Sequence, residues 1–241
     1  MSGAVVSAWT RFPVGLEEGS NGATHVHSFT VPGCVASGPT KEAALDEFGS
    51  ALGSWLRFLS DRGEAVPGRD RELEITVDEW IATDADIAAG ESTVCFEADR
   101  APLPDTELLR GVQLLGSLRG RILPLVRRSS DAELEKLGHP DWTARMILDE
   151  LARAQWWTLT RLGASPLGES PDRAVARLDT SMALAVQHLV HLPASARDRV
   201  IEIEGEEWTP RKVLRRMLWL EWSLGAAALH ALGTAGGGAT E

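Results

Sequence analysis

Residues 208–224 constrain the fold more than any other stretch, because they carry the pattern of a long amphipathic helix. Thr209 suits the capping position that precedes a helix, and Pro210 suits the first helical position. Apolar residues then recur every three or four positions, namely Val213, Leu214, Met217, Leu220, Leu224 and Ala228. This spacing places one apolar stripe along the helix, and the stripe has to be buried against other elements.

Three earlier segments in the second half of the chain show the same spacing, at about 105–127, 141–162 and 172–192. Asp141 or Thr143 is expected to cap the second of them. Residues 200–208 alternate briefly and indicate a short extended loop before the last helix. Four helices joined by loops of intermediate length predict an all-α four-helix bundle.

The first hundred residues show a different pattern, which predicts a small β-β-α-β arrangement. Residues 4–9 and 25–31 have the composition of strands, and the polar stretch 17–22 between them is typical of a hairpin turn. Thr40 is expected to cap an amphipathic helix of about 22 residues. Residues 73–77 alternate as a last strand.

These patterns predict an α+β protein with two domains. We expect an α+β domain with its linker over residues 1–100, a four-helix domain over 101–233, and a disordered Gly-rich tail over 234–241. Residues 92–97 favour one further strand before the boundary. Prolines at 102 and 104 then interrupt regular structure.

The charge of the chain is uneven and excludes some partners. Residues 1–100 contain 7 Lys and Arg against 17 Asp and Glu, a balance of −10, out of −11 for the whole chain. This acidity disfavours nucleic-acid binding and suits a basic protein partner. No apolar run approaches a membrane span, and the N-terminus lacks the features of a secretory signal, so we expect a cytoplasmic protein with no membrane partner. Cys34 and Cys95 are expected to be buried thiols and not a disulfide.

Residues 31–43, Val-Pro-Gly-Cys-Val-Ala-Ser-Gly-Pro-Thr-Lys-Glu-Ala, resemble the centre of HicB-like antitoxin domains. In that family a strand ends in Pro-Gly-Cys, a Gly-x-Thr turn follows, and Glu-Glu-Ala opens the helix. This chain differs by Pro39 within the turn and by Ala43 at the second Glu. The resemblance implies an inhibitor of a small basic ribonuclease. The DNA-binding segment that usually accompanies the domain has no counterpart here, so a domain reused for packing or pairing with a second copy is the alternative.

Residues 141–157 and 208–224 resemble two helices of DinB-like metal-binding bundles, each opened by a Trp-Ser/Thr-x-Arg phrase. The resemblance places the family's three metal ligands, usually histidines, at Glu150, Leu220 and Leu224. Leucine offers no lone pair, so the usual site with three protein ligands and an open position cannot form. We therefore expect no metal, no cofactor and no catalytic residues of the family type.

Loss of the metal leaves the role of Glu150 open. An inward carboxylate has to be paired, which predicts an ion pair between Glu150 and Arg216 in place of the metal. The alternative is that Glu150 faces solvent. A relocated metal site with His188 and His191 is a further alternative.

Other histidines and aromatic residues give two more site predictions. His25 and His27 are two residues apart, so they point to the same face of a strand. This spacing suits two ligands of a metal site, but we expect a solvent-facing polar stripe. A candidate pocket in the bundle, open to an unknown small molecule, is assigned to Glu150, Trp156, His188, Arg216, Trp219 and Glu221.

These observations favour a non-enzymatic binding or scaffolding protein, with a basic protein or a second copy as its partner. Strand edges of the small sheet suit pairing with a second copy. A metal- or thiol-dependent transferase-like enzyme is the first alternative, by analogy with the DinB-like family alone. An antitoxin-like inhibitor of a small basic ribonuclease is the second.

Overall fold

The computed structural model describes residues 9–66, 72–139, 142–165, 171 and 173–233 and has a mixed α+β fold. The chain separates into two units, residues 1–98 and 99–241, which we call the sheet unit and the helical unit. The division falls two residues before the expected boundary at residue 100. The expected tail, 234–241, lies outside the described residues.

The sheet unit contains a four-stranded mixed sheet and one long helix. Its elements are β1 (Trp9–Gly19), β2 (Thr24–Ser28), β3 (Val35–Gly38), α1 (Lys41–Asp61) and β4 (Glu72–Thr83). The strand order is β3-β2-β1-β4. β1 pairs with β4 in parallel and with β2 antiparallel, and β2 pairs with β3 antiparallel. The helix α1 therefore lies in the crossover between β3 and the edge strand β4.

Alternation along the strands gives this sheet two different faces. Phe12, Val14 and Leu16 of β1 lie on one face together with Val26 of β2, and all four are fully buried. The buried stripe of α1 supplies further apolar residues of the unit, namely Ala44, Phe48, Leu52, Trp55 and Leu59. Thr40 caps α1 as expected, because its side chain accepts a hydrogen bond from the Ala43 amide.

Three details of the sheet unit differ from the sequence expectations. The expected strand 4–9 falls almost wholly outside the described residues, and the first described strand instead continues through Pro13 to Gly19, where a turn was expected from residue 17. A register shift between Val14 and Gly15 leaves Asp78 of β4 as an extra residue opposite β1. Pro13 is tolerated in the strand, and its carbonyl accepts a hydrogen bond from the Phe29 amide. β3 was not expected, and residues 92–96 form an irregular segment where a strand was expected.

The helical unit contains four long helices in the part that the structure describes. They are α3 (Asp105–Val126), α5 (Ala144–Thr160), α6 (Ala174–Val190) and α7 (Pro210–Ala231). The shorter elements are α2 (Glu97–Arg100, which spans the division between the units), α4 (Asp131–Leu134), β5 (Leu137–His139), β6 (Trp142–Thr143), β7 (Ile201–Ile203) and β8 (Glu206–Trp208). The strands β7 and β8 form a hairpin in the region expected to be a short extended loop.

The long helices pack in a ring, with α3 and α5 each lying against both α6 and α7. Thr143 and Thr209 cap α5 and α7 as expected, and Pro210 occupies the first turn of α7. The helices α3 and α7 approach closely at Gly111, where a Cβ atom would lie 2.5 Å from the side chain of Leu214. Among the described helices, none is both long and apolar enough to cross a membrane.

Candidate functional site

Each of the four long helices contributes a polar side chain to the centre of the helical unit. Arg119 of α3, Gln155 of α5, Ser181 of α6 and Glu221 of α7 are at most 2% exposed, and we call them the core network. Arg119 donates from Nε to Oε1 of Glu221 at 3.1 Å and from Nη2 to Oε1 of Gln155 at 2.8 Å. It also donates to the backbone carbonyl of Leu178, while Gln155 donates to Glu221. The network joins all four helices.

The electrostatics of the core network explain how a buried charge pair is tolerated. Burial raises the pKa of the Glu221 carboxyl above its ordinary value, and the charge and hydrogen bonds of Arg119 oppose that rise together with Gln155. Ser181 completes the network with a hydrogen bond from its hydroxyl to Oε1 of Gln155 at 3.2 Å. Burying two charges is costly unless their remaining hydrogen-bond donors and acceptors also have partners. Here Arg119 donates to Gln155 and the Leu178 carbonyl, and Glu221 accepts from Gln155.

The three positions expected from metal-binding bundles have apolar or local contacts. Leu220 and Leu224 pack against the apolar cluster of the ring. Glu150 is 28% exposed and receives two hydrogen bonds from Arg153, at 2.8 and 2.6 Å, one turn along the same helix. Among the described residues, no group of three or more His, Cys, Asp or Glu is arranged to hold a metal ion.

The expected ion pair between Glu150 and Arg216 is not formed, and that prediction is wrong. Arg216 instead lies 3.5 Å from Glu206 of the β7–β8 hairpin. The physical reason is local geometry. Arg153 is a neighbour of Glu150 on the helix surface and offers it two parallel N–H donors, without any need to reach across the ring.

Arg216 belongs to a cluster of cations and indole rings beside the hairpin. Its guanidinium lies 5.1 Å from the ring centre of Trp157 and 5.3 Å from that of Trp208. The Arg161 guanidinium lies 4.2 Å from the ring centre of Trp157, and Nζ of Lys212 lies 4.4 Å from that of Trp208. Cation–π contacts at these distances stabilise the packing of β8 against α5 and α7.

The residues of the expected pocket are spread over different parts of the helical unit. Trp156 and His188 line a cleft of about 550 Å³ at the C-terminal ends of α5 and α6. Glu150, Arg216, Trp219 and Glu221 do not line this cleft, which we call the α5–α6 cleft. Its other lining residues are Leu162, Ala164, Ser165, Leu184, Gln187, His191, Leu192, Pro193, Ala196 and Arg199.

A second buried polar cluster lies in the sheet unit around Glu17 of β1. The Glu17 carboxylate accepts hydrogen bonds from the Ser92 hydroxyl at 2.6 Å and from the Thr93 amide at 2.7 Å. Nε2 of His27 lies 3.2 Å from it. Burial raises the pKa of Glu17. This rise is outweighed by a hydrogen bond and the charge of His27 and by hydrogen bonds from Ser92 and Thr93, which lower the pKa to about 2. Glu17 therefore fixes the segment that follows β4 onto the sheet.

His25 and His27 share one face of β2, as the spacing predicts, but this face is buried. They are 1% and 0% exposed, so the expectation of a solvent-facing stripe is wrong. His25 lies 2.7 Å from the Ser37 hydroxyl and 3.1 Å from the Glu91 carbonyl, and the ring of Phe96 lies 5.3 Å from that of His27. The irregular segment around residues 91–96 covers the face that the local sequence marks as polar.

The two cysteines are buried and are not joined by a disulfide, as expected. Burial raises the pKa of the Cys34 thiol to about 12. A thiol with so high a pKa is protonated near neutral pH and is a poor nucleophile.

Strand β4 is one of the two edge strands of the described sheet and exposes an apolar stripe. Within the described residues its one strand neighbour is β1. Leu73, Val77 and Trp80 are 38%, 43% and 58% exposed. A groove of about 610 Å³ begins at Trp80 and is lined also by Glu18 and Asp84. A long, partly apolar edge strand is unusual in a protein without a partner for it.

Sequence reasoning missed three members of the core network and Arg199 of the α5–α6 cleft. Arg119 had a usable signal, because it lies four residues after Leu115 and three before Ile122, within the apolar spacing of α3. Gln155 and Ser181 had the same signal, because Gln155 lies four residues from both Leu151 and Leu159, and Ser181 lies three residues after Leu178. Arg199 had no comparable signal, since it lies outside the long helices.

Comparisons of the chain with protein-family models, with curated proteins and with solved structures found no match. The function proposed below is therefore argued from the contacts, burial and charges of the described residues.

Proposed function

We propose that the chain is a non-enzymatic, cytoplasmic binding or scaffolding protein, built from a HicB-like sheet unit and a DinB-like bundle without a metal. Its binding surface is the exposed edge of β4, and its partner is a basic protein that adds an extended segment to this edge. The observation that carries the proposal is the exposed apolar stripe of Leu73, Val77 and Trp80 on a strand edge that no other described strand pairs with.

Edge geometry supports an extended partner segment. An added strand would use the backbone groups on the outer edge of β4, while alternate side chains of the partner cover the exposed apolar residues. From the register with β1, Val77 pairs with Val14 and Trp80 with Leu16, so both lie on the α1 side of the sheet. The apolar stripe therefore lies on one face, as a single partner segment requires.

Charge supports a basic partner over a second copy. Residues 1–100 carry a balance of 7 − 17 = −10. Asp78 of β4 is exposed, and Glu18 and Asp84 line the groove beside Trp80. A second copy would bring like charges together, which is unfavourable, whereas a lysine or arginine of a basic partner would fit the groove.

The helical unit supports a non-enzymatic role. Its central polar groups bond to one another in the core network. Two of the three positions that hold metal ligands in DinB-like bundles are leucines, partly buried and packed against the apolar cluster of the ring. In the sheet unit, Cys34 is buried and its pKa is raised, which argues against its use as a thiolate nucleophile.

The proposal can be tested by site-specific photocrosslinking in the native host. A photoreactive phenylalanine analogue is placed at Val77 or at Trp80. The matched control is Leu109 of α3, an exposed apolar residue of the helical unit. We expect the same basic protein to be crosslinked from both β4 positions and not from Leu109, and Glu18→Gln with Asp84→Asn should reduce its yield at least threefold.

The identity of the crosslinked species decides between the alternatives. A small basic ribonuclease would make the chain an antitoxin-like inhibitor, which the same acidic edge favours. Crosslinks between two copies of this chain would contradict the basic partner. Crosslinks from Leu109 equal to those from β4 would contradict the assignment of the edge.

A further inference from the structure

We infer that the α5–α6 cleft is a binding site for a small aromatic carboxylate. The cleft has a volume of about 550 Å³, within the range of roughly 300–1,000 Å³ typical of small-molecule sites. It lies wholly within the helical unit, and the inference does not depend on the partner proposed for β4.

The wall of the cleft is suited to an apolar, planar ligand body. Trp156 supplies an indole ring, and Leu184, Leu192 and Pro193 supply aliphatic surface. Trp156 and Leu184 are half-buried, so part of each side chain remains available to a ligand. An aromatic ring gains from stacking on or against an indole in addition to the area that it buries.

The charged residues of the cleft favour an anion. The chain contains 35 Asp and Glu against 24 Lys and Arg, yet none of the described residues that line the cleft is acidic. Arg199 supplies a permanent positive charge, and His188 and His191 supply two imidazoles. This is the reverse of the charge balance of the chain as a whole.

The helix ends set where the carboxylate can sit. The C-terminal ends of α5 and α6 carry partial negative charge, which repels an anion placed directly against them. Several C-terminal carbonyls of α6 are already bonded. The Gln187 carbonyl accepts from the His191 amide and lies 2.8 Å from its Nδ1, and the Leu189 carbonyl accepts from the Leu192 amide. The carboxylate is therefore placed at Arg199, and the aromatic ring at Trp156.

His188 provides a polar group that a ligand could satisfy. Its Nε2 atom is buried and has no hydrogen-bond partner among the residues that the structure describes. A buried polar atom in this state is uncommon in folded proteins. His188 also lines the cleft, so a ligand oxygen that formed a hydrogen bond to its imidazole would remove the unsatisfied state.

The experiment is isothermal titration of the full chain with three indole compounds that differ in charge. Indole-3-acetate is the anion, 3-(2-hydroxyethyl)indole is the neutral compound and tryptamine is the cation. We expect indole-3-acetate to bind at least tenfold more tightly than tryptamine, with the neutral compound between them. Arg199→Gln should weaken indole-3-acetate at least fivefold and change the neutral compound less than twofold.

Two variants that fill the cleft and one control complete the test. Leu184→Trp and Ala196→Phe narrow the cleft from different elements, and either one, once shown to be folded by circular dichroism, should abolish binding of all three compounds. Arg128→Gln replaces an exposed arginine beyond α3 and should leave every affinity unchanged.

Equal binding of the three compounds, tightest binding of tryptamine, affinities unaffected by the cleft variants, or no binding at millimolar concentration would each overturn the inference. Decanoate binding more tightly than indole-3-acetate would overturn the aromatic part.

Discussion

Glu17 is a buried carboxylate that stays ionised because neighbouring residues supply the hydrogen bonds and opposite charge that replace its hydration. The Ser92 hydroxyl, the Thr93 amide and His27 surround it, and together they lower its pKa to about 2. A pKa lowered by folding means that the folded state favours the ionised form. Glu17 therefore stabilises the sheet unit above its ordinary pKa of 4.5, and this stabilisation is lost as the pH falls toward 2.

We expect Glu17→Gln to destabilise the sheet unit at pH 7 by about 3 kcal/mol, since the pKa difference of about 2.5 units corresponds to roughly that free energy. The difference between the variant and the natural protein should shrink as the pH falls from about 4.5 to 2. Hydrogen exchange of the β1 and β2 amides reports the unfolding free energy of these strands separately from the helical unit.

The matched control for this prediction is Glu47→Gln, an exposed position of α1, which should change the exchange by less than about 0.5 kcal/mol at any pH. A loss of stability in Glu17→Gln that stays constant between pH 7 and pH 2 would show that the carboxylate charge is not the cause.

At the scale of the elements, the turn between β3 and α1 depends on the absence of a side chain at Gly38. A Cβ atom there would lie 2.4 Å from the backbone nitrogen of Ala44 and 2.8 Å from the carbonyl carbon of Ala43. Both atoms belong to the first turn of α1, so neither can move without disturbing the cap at Thr40. The Gly-Pro-Thr sequence thus sets the distance between the strand and the helix.

We expect Gly38→Ala to destabilise the sheet unit by about 1–3 kcal/mol, as overpacking against a rigid neighbour does. Gly49→Ala is the matched control, because Gly49 lies on the exposed side of α1 and its Cβ would meet no atom within 4 Å. That variant should stabilise the protein by about 0.5–1 kcal/mol, since alanine is the better helix former. Urea unfolding of both variants measures the two effects, and a shared sign would contradict the steric explanation.

The elements that the sequence predicts well are those with local signals. Thr40, Thr143 and Thr209 each mark a helix start through their own side chains, and the structure uses all three as caps. The apolar spacing then extends from each cap through the length of its helix, which explains why α1, α5 and α7 could be predicted from a single sequence.

The elements and contacts that the sequence does not predict depend on residues far apart in the chain. β1 continues through Pro13 because β2 and β4 pair with it on both sides, which overrides the local turn signal. His27 is buried by a segment that begins more than sixty residues later and is fixed there by Glu17. The predicted ion pair between Glu150 and Arg216 is wrong because apolar spacing shows which face of a helix is buried but not which arginine binds a given carboxylate. Glu150 pairs with Arg153 of its own helix.

At the scale of the whole molecule, the two units use buried charge for similar structural purposes and differ in their surfaces. Residues 1–100 hold a balance of −10, whereas residues 101–241 hold 17 Lys and Arg against 18 Asp and Glu, a balance of −1. Long-range attraction of the proposed basic partner would therefore come from the first part of the chain. The arginines of the helical unit serve mostly internal contacts, of which the core network is the most central.

The core network predicts how the helical unit responds when the charges at its centre are removed. Glu221→Leu leaves Arg119 as a buried charge without its carboxylate, and Arg119→Met leaves Glu221 without its cation. Each single variant should be destabilised by about 3–5 kcal/mol, because an uncompensated buried charge remains. The double variant should recover part of this loss, since an apolar pair often replaces a buried ion pair at little cost. The recovery is partial because Gln155 loses its hydrogen bonds to both residues and keeps only that from Ser181. Hydrogen exchange of the α3 and α7 amides measures all three, with Arg128→Met as an exposed control expected to change by less than about 0.5 kcal/mol. If the losses in the double variant equalled the sum of the single losses, the two side chains would not be coupled, and the four helices would be joined by apolar packing alone.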